Sequence, residues 1–142
     1  MGALLAEYLD PDMYCGLDCH LGSLVAFAAY EALLMRLSLK RPRLMFDQDF
    51  AVDAFGVTFN TVIDFAVTVH LGPKIAAKAY EKIRSVTNSE GRAFITQRTA
   101  LDASTMKQIG FTLIDERIVR YNLPVTDAGP LGEDLWFEFQ AS

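Results

Sequence analysis

Cys15-Gly-Leu-Asp-Cys19-His20 is the one place in this 142-residue chain where soft metal ligands gather. A structural zinc takes four such ligands, usually as paired Cys/His motifs. The only other histidine is His70 and there is no second cysteine pair, so the residue types do not complete a site. Were the segment helical, Cys15 and Cys19 would share a face, close enough to oxidise together but with imperfect geometry. A nucleophilic Cys15 or Cys19 activated by His70 would need the fold to bring distant residues together. Small thiols beside an incidental histidine are the simpler account.

The acidic residues tell a similar story. Asp47, Asp49 and Asp53 resemble the start of a carboxylate metal loop but lack the glycine and closing glutamate of a calcium hand. Asp64 sits on the polar face of the long strand expected over Val57–Leu71, where general-base work would need a pocket. His70 reads as a surface or interface residue. The basic run Arg36, Lys40, Arg41, Arg43 could touch phosphate, yet it has no interleaved aromatics and also suits a helix C-terminus. No Gly-x-Gly phosphate loop is present. The expectation is therefore no catalytic residue, no cofactor and no metal.

Composition narrows the classes further. An apolar content of 51% with ten Phe predicts a packed core, and the length fits a single domain over 1–142, with 1–20 as an arm or short helix. The net charge of -5 argues against sequence-specific nucleic-acid binding, which needs a basic field. Two cysteines exclude a disulfide framework, and no secretory signal pattern opens the chain. Glu31 and Arg36 interrupt the apolar run Leu21–Leu39, so no membrane span is expected.

Periodicity sets out the elements. Ala3–Leu9 reads as a short helix stopped by Asp10-Pro11. Leu21–Leu39 reads as the main N-terminal helix, apolar nearly all round and so buried on more than one side. Leu44–Phe55 is a strand or an extended loop. Val57–Leu71 predicts one long strand whose odd residues Val57, Phe59, Ile63, Phe65, Val67, Val69 and Leu71 face the core, with Thr58, Asn60, Asp64 and Thr68 wetter. Gly72-Pro73 ends it and starts an amphipathic helix over Lys74–Val86, closed by a polar turn at Asn88–Gly91. Phe94–Leu101 predicts a strand, while Ala103–Ile109 stays open. Phe111–Tyr121 and Leu135–Phe139 predict an antiparallel hairpin across the turn-rich Pro124–Gly132, with a bulge or edge near Asp115 and Arg117. The fold class is α+β, with a mixed, mainly antiparallel sheet containing the long strand, an N-terminal helix and a helix after that strand.

This order of elements resembles the tail-terminator family of tailed bacteriophages. The strand-then-helix unit is matched by Thr61–Leu71 and Pro73–Val86, and the closing hairpin by Phe111–Tyr121 and Leu135–Phe139. The resemblance covers the last two thirds of the chain. It implies a non-enzymatic virion protein: a hexameric ring that caps the tail tube and joins it to the neck or connector protein, assembled in the host cytoplasm. In such a ring Arg36, Lys40, Arg41 and Arg43 would meet Asp47, Asp49 and Asp53 across subunit interfaces. The competing reading is a small α+β enzyme or ligand-binding domain with an apolar, Phe-lined pocket.

Overall fold

The computed structural model describes residues 2–65, 67–96, 101–120 and 133–142. Its architecture is α+β with a mixed sheet and helices, and the chain divides into two compact units, Met1–Gly56 and Val57–Ser142. None of the helices among the described residues is long and apolar enough to cross a membrane.

In the first unit α1 spans Gly2–Tyr8, β1 spans Cys15–Asp18 and β2 spans Arg43–Phe46. The two strands pair in parallel, with Cys15 opposite Arg43 and Asp18 opposite Phe46. Cys15–Asp18 is thus extended, not helical, and the expected shared helical face for Cys15 and Cys19 does not form. A parallel pair needs a crossover, and helices supply it. The crossover is not the single Leu21–Leu39 helix that the apolar run predicts. It runs as α2 over Leu21–Ala26, a π-turn over Phe27–Glu31 and α3 over Ala32–Leu34. Arg36 then adopts a left-handed conformation (φ 54°) and ends it. Such a conformation is costly for a residue with a Cβ and breaks helix propagation. Of the expected all-round burial only one side is realised: Phe27 and Leu37 pack with Ala3 and Ala6, while Leu33 and Leu34 stay exposed.

The second unit holds a four-stranded sheet. Its strands are β3 (Phe59–Asp64), β4 (Thr87–Thr96), β5 (Phe111–Arg120) and β6 (Glu133–Ala141), in the order β3-β4-β6-β5. β3 and β4 are parallel, and β6 runs antiparallel between β4 and β5. The crossover from β3 to β4 is α4, Pro73–Val86, with Pro73 in the first turn, where a missing N–H costs nothing. α5 spans Ala103–Ile109, capped by the Asp102 side chain accepting from Thr105 N, and Gly110 turns the chain at φ 100°. The helix face of Ala76, Ala79, Tyr80, Ile83 and Val86 is buried, as are Ala93, Ile95, Phe111 and Phe139 of the sheet. Arg84 fastens this layer: it donates to Gly110 O (3.0 Å), Thr87 O (3.0 Å) and Ser142 O (3.1 Å).

Three sequence expectations need correction here. The strand expected over Val57–Leu71 ends at Asp64, and Thr68–His70 forms a 3-10 turn. Its register holds at first, with Phe59 half-buried and Thr58 and Asn60 exposed, and is inverted from Ile63 on: Asp64 and Thr68 are buried, whereas Ile63 and Phe65 are the more open residues. The cause is hydrogen bonding, which outweighs the apolar alternation, as the site below makes plain. The polar Asn88–Gly91 stretch does not stand free of the sheet. It lies inside β4 as an irregularity, since Thr87 pairs Phe59 but Arg92 already pairs Thr61. The bulge expected near Asp115 is present, between Leu113 and Asp115 on an edge strand. The turn expected over 124–132 lies outside the described residues.

Candidate functional site

Ligands in parallel α/β sheets bind outside the carboxyl ends of the strands, because the crossover loops and helix starts converge there. In the first unit that edge is built by the turn after β1 and the residue after β2. Asp18 closes β1, and its Oδ1 accepts from His20 N (2.7 Å), which bends the chain into α2. His20 then caps α2, with Nδ1 accepting from Ser23 N (3.3 Å). Gly22 follows, and a Cβ there would stand 2.7 Å from the exposed His20 ring, so a side chain at this position would displace that ring from its cap. Asp47 follows β2 directly. Its amide donates to Asp18 O (3.2 Å), which ties the two strand ends together. Its Oδ1 accepts from Asp49 N (2.8 Å) and Ala51 N (2.9 Å). The result is a half-buried carboxylate held rigidly beside the β1–α2 turn.

In the second unit the corresponding edge is the end of β3. Asp64 Oδ2 accepts from Tyr80 OH (2.8 Å) and from the Thr68 hydroxyl, and the Thr68 and Tyr80 hydroxyls lie 2.5 Å apart. Asp64 Oδ1 accepts from Val67 N (3.0 Å) and Thr68 N (3.4 Å). Asp64 is 7% exposed and Tyr80 1%. A buried carboxylate is tolerable only when its oxygens are saturated in this way. The cluster anchors the turn after β3 to α4. Burial, reinforced by the nearby Asp64 charge, pushes the Tyr80 phenol well above the usual tyrosine range.

Among the residues expected to form an interface, Lys40, Arg41, Arg43 and Asp47 make contacts within the first unit. Lys40 Nζ donates to Leu9 O (2.6 Å), and Arg41 Nε pairs with Asp12 Oδ1 (2.8 Å). Arg43 donates to Phe55 O (3.0 Å), with its guanidinium over the Phe55 ring. Arg36 marks the end of the crossover helices, Asp49 is exposed, and Asp53 sits in the 3-10 turn Val52–Phe55. Only Asp47 of this set stands at a strand end beside the β1–α2 turn. Cys15 and Cys19 are half-buried and free, His70 is exposed, and among the described residues no three of His, Cys, Asp or Glu stand close enough to hold a metal.

Sequence reasoning missed Asp18, Gly22, Thr68 and Tyr80. The turn lacks the Gly-x-Gly spacing that flags such loops. A signal for Tyr80 did exist: it falls on the apolar face of an amphipathic helix, and a buried phenol needs a hydrogen-bond partner.

No family model and no curated protein matches the chain. Solved structures do match its fold. Magnesium protoporphyrin IX methyltransferase (ChlM) from Synechocystis PCC 6803, with bound SAM, aligns at a TM-score of 0.62 and 15% identity, over 99% of this chain and 74% of that one. Burkholderia thailandensis 1,6-didemethyltoxoflavin-N1-methyltransferase, with bound 1,6-didemethyltoxoflavin and S-adenosylhomocysteine, aligns at 0.62 and 15%, over 99% and 78%. TrmN from Thermus thermophilus aligns at 0.63 and 14%, over 99% of this chain but only 47% of its own, so the chain spans about half the length of that protein. These matches overturn the resemblance to phage tail terminators. The hexameric ring, the tail-tube and neck partners and the non-enzymatic virion role fall with it. The fold is that of methyltransferase structures.

Proposed function

We propose that the chain is a methyltransferase-type protein that binds S-adenosylmethionine at the carboxyl edge of β1 and β2. The observation that carries this reading is Asp47, a carboxylate fixed by two backbone N–H bonds at the end of the strand next to the β1–α2 turn. In doubly wound folds an acidic side chain placed there accepts hydrogen bonds from a ribose diol. The acceptor arrangement suits such a diol: Oδ1 is held by the backbone, and the carboxylate retains lone pairs on Oδ2. Asp18 keeps the turn closed through His20 N, and Gly22 leaves room for the His20 ring that caps α2. One departure stands beside this fit. Asp18, Cys19, His20 and Leu21 carry side chains where a glycine-rich turn would expose bare backbone. The likeness to a SAM-bound fold adds support.

The methyl donor supplies an electrophilic methyl group on a sulfonium. The chain's own part is to bind the nucleoside through Asp47 and to hold the turn after β3 through Asp64, Thr68 and Tyr80. Calorimetric titration with S-adenosylmethionine and S-adenosylhomocysteine tests the reading. Both should bind, and Asp47→Ala should weaken both by about 10- to 100-fold, the loss expected for hydrogen bonds to a charged group. A folded wild-type protein that releases no heat with either compound overturns it.

A further inference from the structure

The loop that follows Asp47 holds one residue in an uncommon backbone conformation. Phe50 has φ 56°, in the left-handed region. A Cβ there crowds the following carbonyl oxygen, so the conformation belongs mostly to glycine, asparagine and aspartate. Phe50 is none of these, and its side chain is 6% exposed. Among the described residues from Asp47 to Gly56 it is the one that is buried, which makes it the anchor of the loop. Residues in such regions persist only where their surroundings over-determine them, and they gather at functional sites.

The hydrogen bonds on either side of Phe50 lead back to Asp47. The amides of Asp49 and Ala51 both donate to Asp47 Oδ1, at 2.8 and 2.9 Å. N–H groups two residues apart converge on one oxygen where the chain bends around a left-handed residue, the concave arrangement that binds anions in phosphate loops. Here the anion is the chain's own carboxylate. The loop closes with Val52 N donating to Phe50 O (2.7 Å) around Ala51 (φ −72°, ψ 55°), an inverse γ-turn that leads into the 3-10 turn Val52–Phe55. Two amides fill the lone pairs of Oδ1, so Oδ2 is the oxygen left to a ligand.

We infer that Phe50 is the positioning residue of the nucleoside site: its buried ring keeps the backbone left-handed, that backbone aims the Asp49 and Ala51 amides at Oδ1, and the pinned carboxylate presents Oδ2 to the ribose diol. This role rests on the proposed function only in naming the diol. Glycine would reach the same conformation without strain but would not be confined to it, since it adopts many others as readily. A β-branched residue would stay apolar yet resist the left-handed region. A large, unbranched-at-Cβ side chain with a buried seat meets both requirements.

Two measurements on the full chain test this role: calorimetric titration with S-adenosylhomocysteine, and hydrogen exchange of the Asp49 and Ala51 amides read by nuclear magnetic resonance. Phe50→Gly should weaken binding at least tenfold and speed exchange of both amides at least tenfold, while the amides of the β1–β2 ladder keep their rates. Phe50→Leu, which retains a large buried side chain, should stay within threefold of wild type on both counts. In an Asp47→Ala background Phe50→Gly should change the affinity no further, because no carboxylate is left to aim. A side chain that merely stabilised the first unit would weaken binding in both backgrounds and speed the ladder amides as well; either result overturns the role. So does unchanged exchange of Asp49 and Ala51 in Phe50→Gly, or a Phe50→Leu as impaired as Phe50→Gly. Where Phe50→Gly does not fold, Phe50→Val takes its place: the same losses are expected, and wild-type exchange overturns the role. A wild-type protein that binds no nucleoside sinks the proposed function alone, and the exchange rates then decide the part played by Phe50.

Discussion

The two units of this chain are built on the same crossover logic and differ in how much each buries. Met1–Gly56 pairs two short parallel strands, and its buried cluster is Ala3, Ala6, Phe27 and Leu37. Tyr8, Leu33, Leu34 and Leu39 remain open on it. Among its described residues Val57–Ser142 has four strands with two α-helices and completely covers Tyr80, Ile95, Met106, Phe111 and Phe139. With Phe50 the first unit buries three large side chains and two alanines, which exclude little apolar surface from water, and small units are marginal for that reason. The difference teaches where each kind of residue works. The thin unit carries the exposed turn and Asp47, whereas the thick unit can afford a buried carboxylate.

The sharpest way to break this contrast is to cut into both cores. Phe139 lies in the central antiparallel strand at 2% exposure, and Phe139→Ala should cost about 3–5 kcal/mol, the usual penalty for a large aromatic truncated in a packed site. Leu37→Ala should cost about 2 kcal/mol, the low end for leucine, because Tyr14, Met35 and Leu44 around it are only partly buried and can close into the cavity. Urea unfolding followed by Trp136 emission measures the first, and far-ultraviolet circular dichroism measures both. Equal losses would show that the first unit is as tightly held as the second.

A smaller effect should come from the hydrogen-bonded cluster of the thick unit. Tyr80→Phe removes one donor to Asp64 while Thr68 and two backbone N–H groups remain, so about 1–2 kcal/mol should be lost. The pH dependence has a definite sign. The Tyr80 phenol is raised in the folded protein, so its contribution is fully present below the unfolded value near 10 and falls as pH rises above it. Tyr14 in the first unit is shifted the same way, chiefly by burial and then by the Glu31 charge. Urea midpoints of wild type should therefore decline above about pH 10. Tyr80→Phe should decline less steeply. Parallel alkaline limbs would remove Tyr80 from the account.

Much of the thick unit was legible in the sequence because its signals are local. Gly72-Pro73 fixes the start of α4, strict alternation marks β6, and Asp115 and Arg117 on an apolar face announce the bulge in β5. The register of β3 was not legible. Alternation identifies two faces, but which one is inside depends on Tyr80 and Thr68, whose hydroxyls saturate Asp64. That is a tertiary fact sixteen residues away along the chain. The candidate site was illegible for another reason. The β1–α2 turn keeps its geometry with one glycine and an Asp18–His20 hydrogen bond instead of a glycine-rich run, so the cysteines drew attention and the turn did not. Likewise α2 and α3 read as one helix because nothing local in Leu21–Leu39 announces the π-turn or the left-handed Arg36.

The least consequential difference should be that between the ion pairs of the two units. Asp12 and Arg41 form a bidentate pair whose side chains are mostly exposed, whereas Glu138 is buried between Arg92 and Arg117. Water screens the first pair and the long side chains lose freedom in making it, so exposed pairs contribute little. The Arg41 hydrogen bond holds the Asp12 carboxyl below its usual value, and that sets the sign. Whatever the pair contributes is present above the unfolded carboxylate value near 4 and disappears as pH falls through the lower folded value. Arg41→Ala should thus leave the thermal midpoint at neutral pH within error of wild type. Any residual difference should vanish in high salt, where charges at the surface are screened within a few ångströms. Glu138→Gln should lower the midpoint measurably under the same conditions, since it weakens two charge-assisted bonds to a carboxylate that is itself buried, although its arginine partners are exposed. A larger shift for Arg41→Ala than for Glu138→Gln would reverse the contrast between the units and make the exposed pair the stronger fastening.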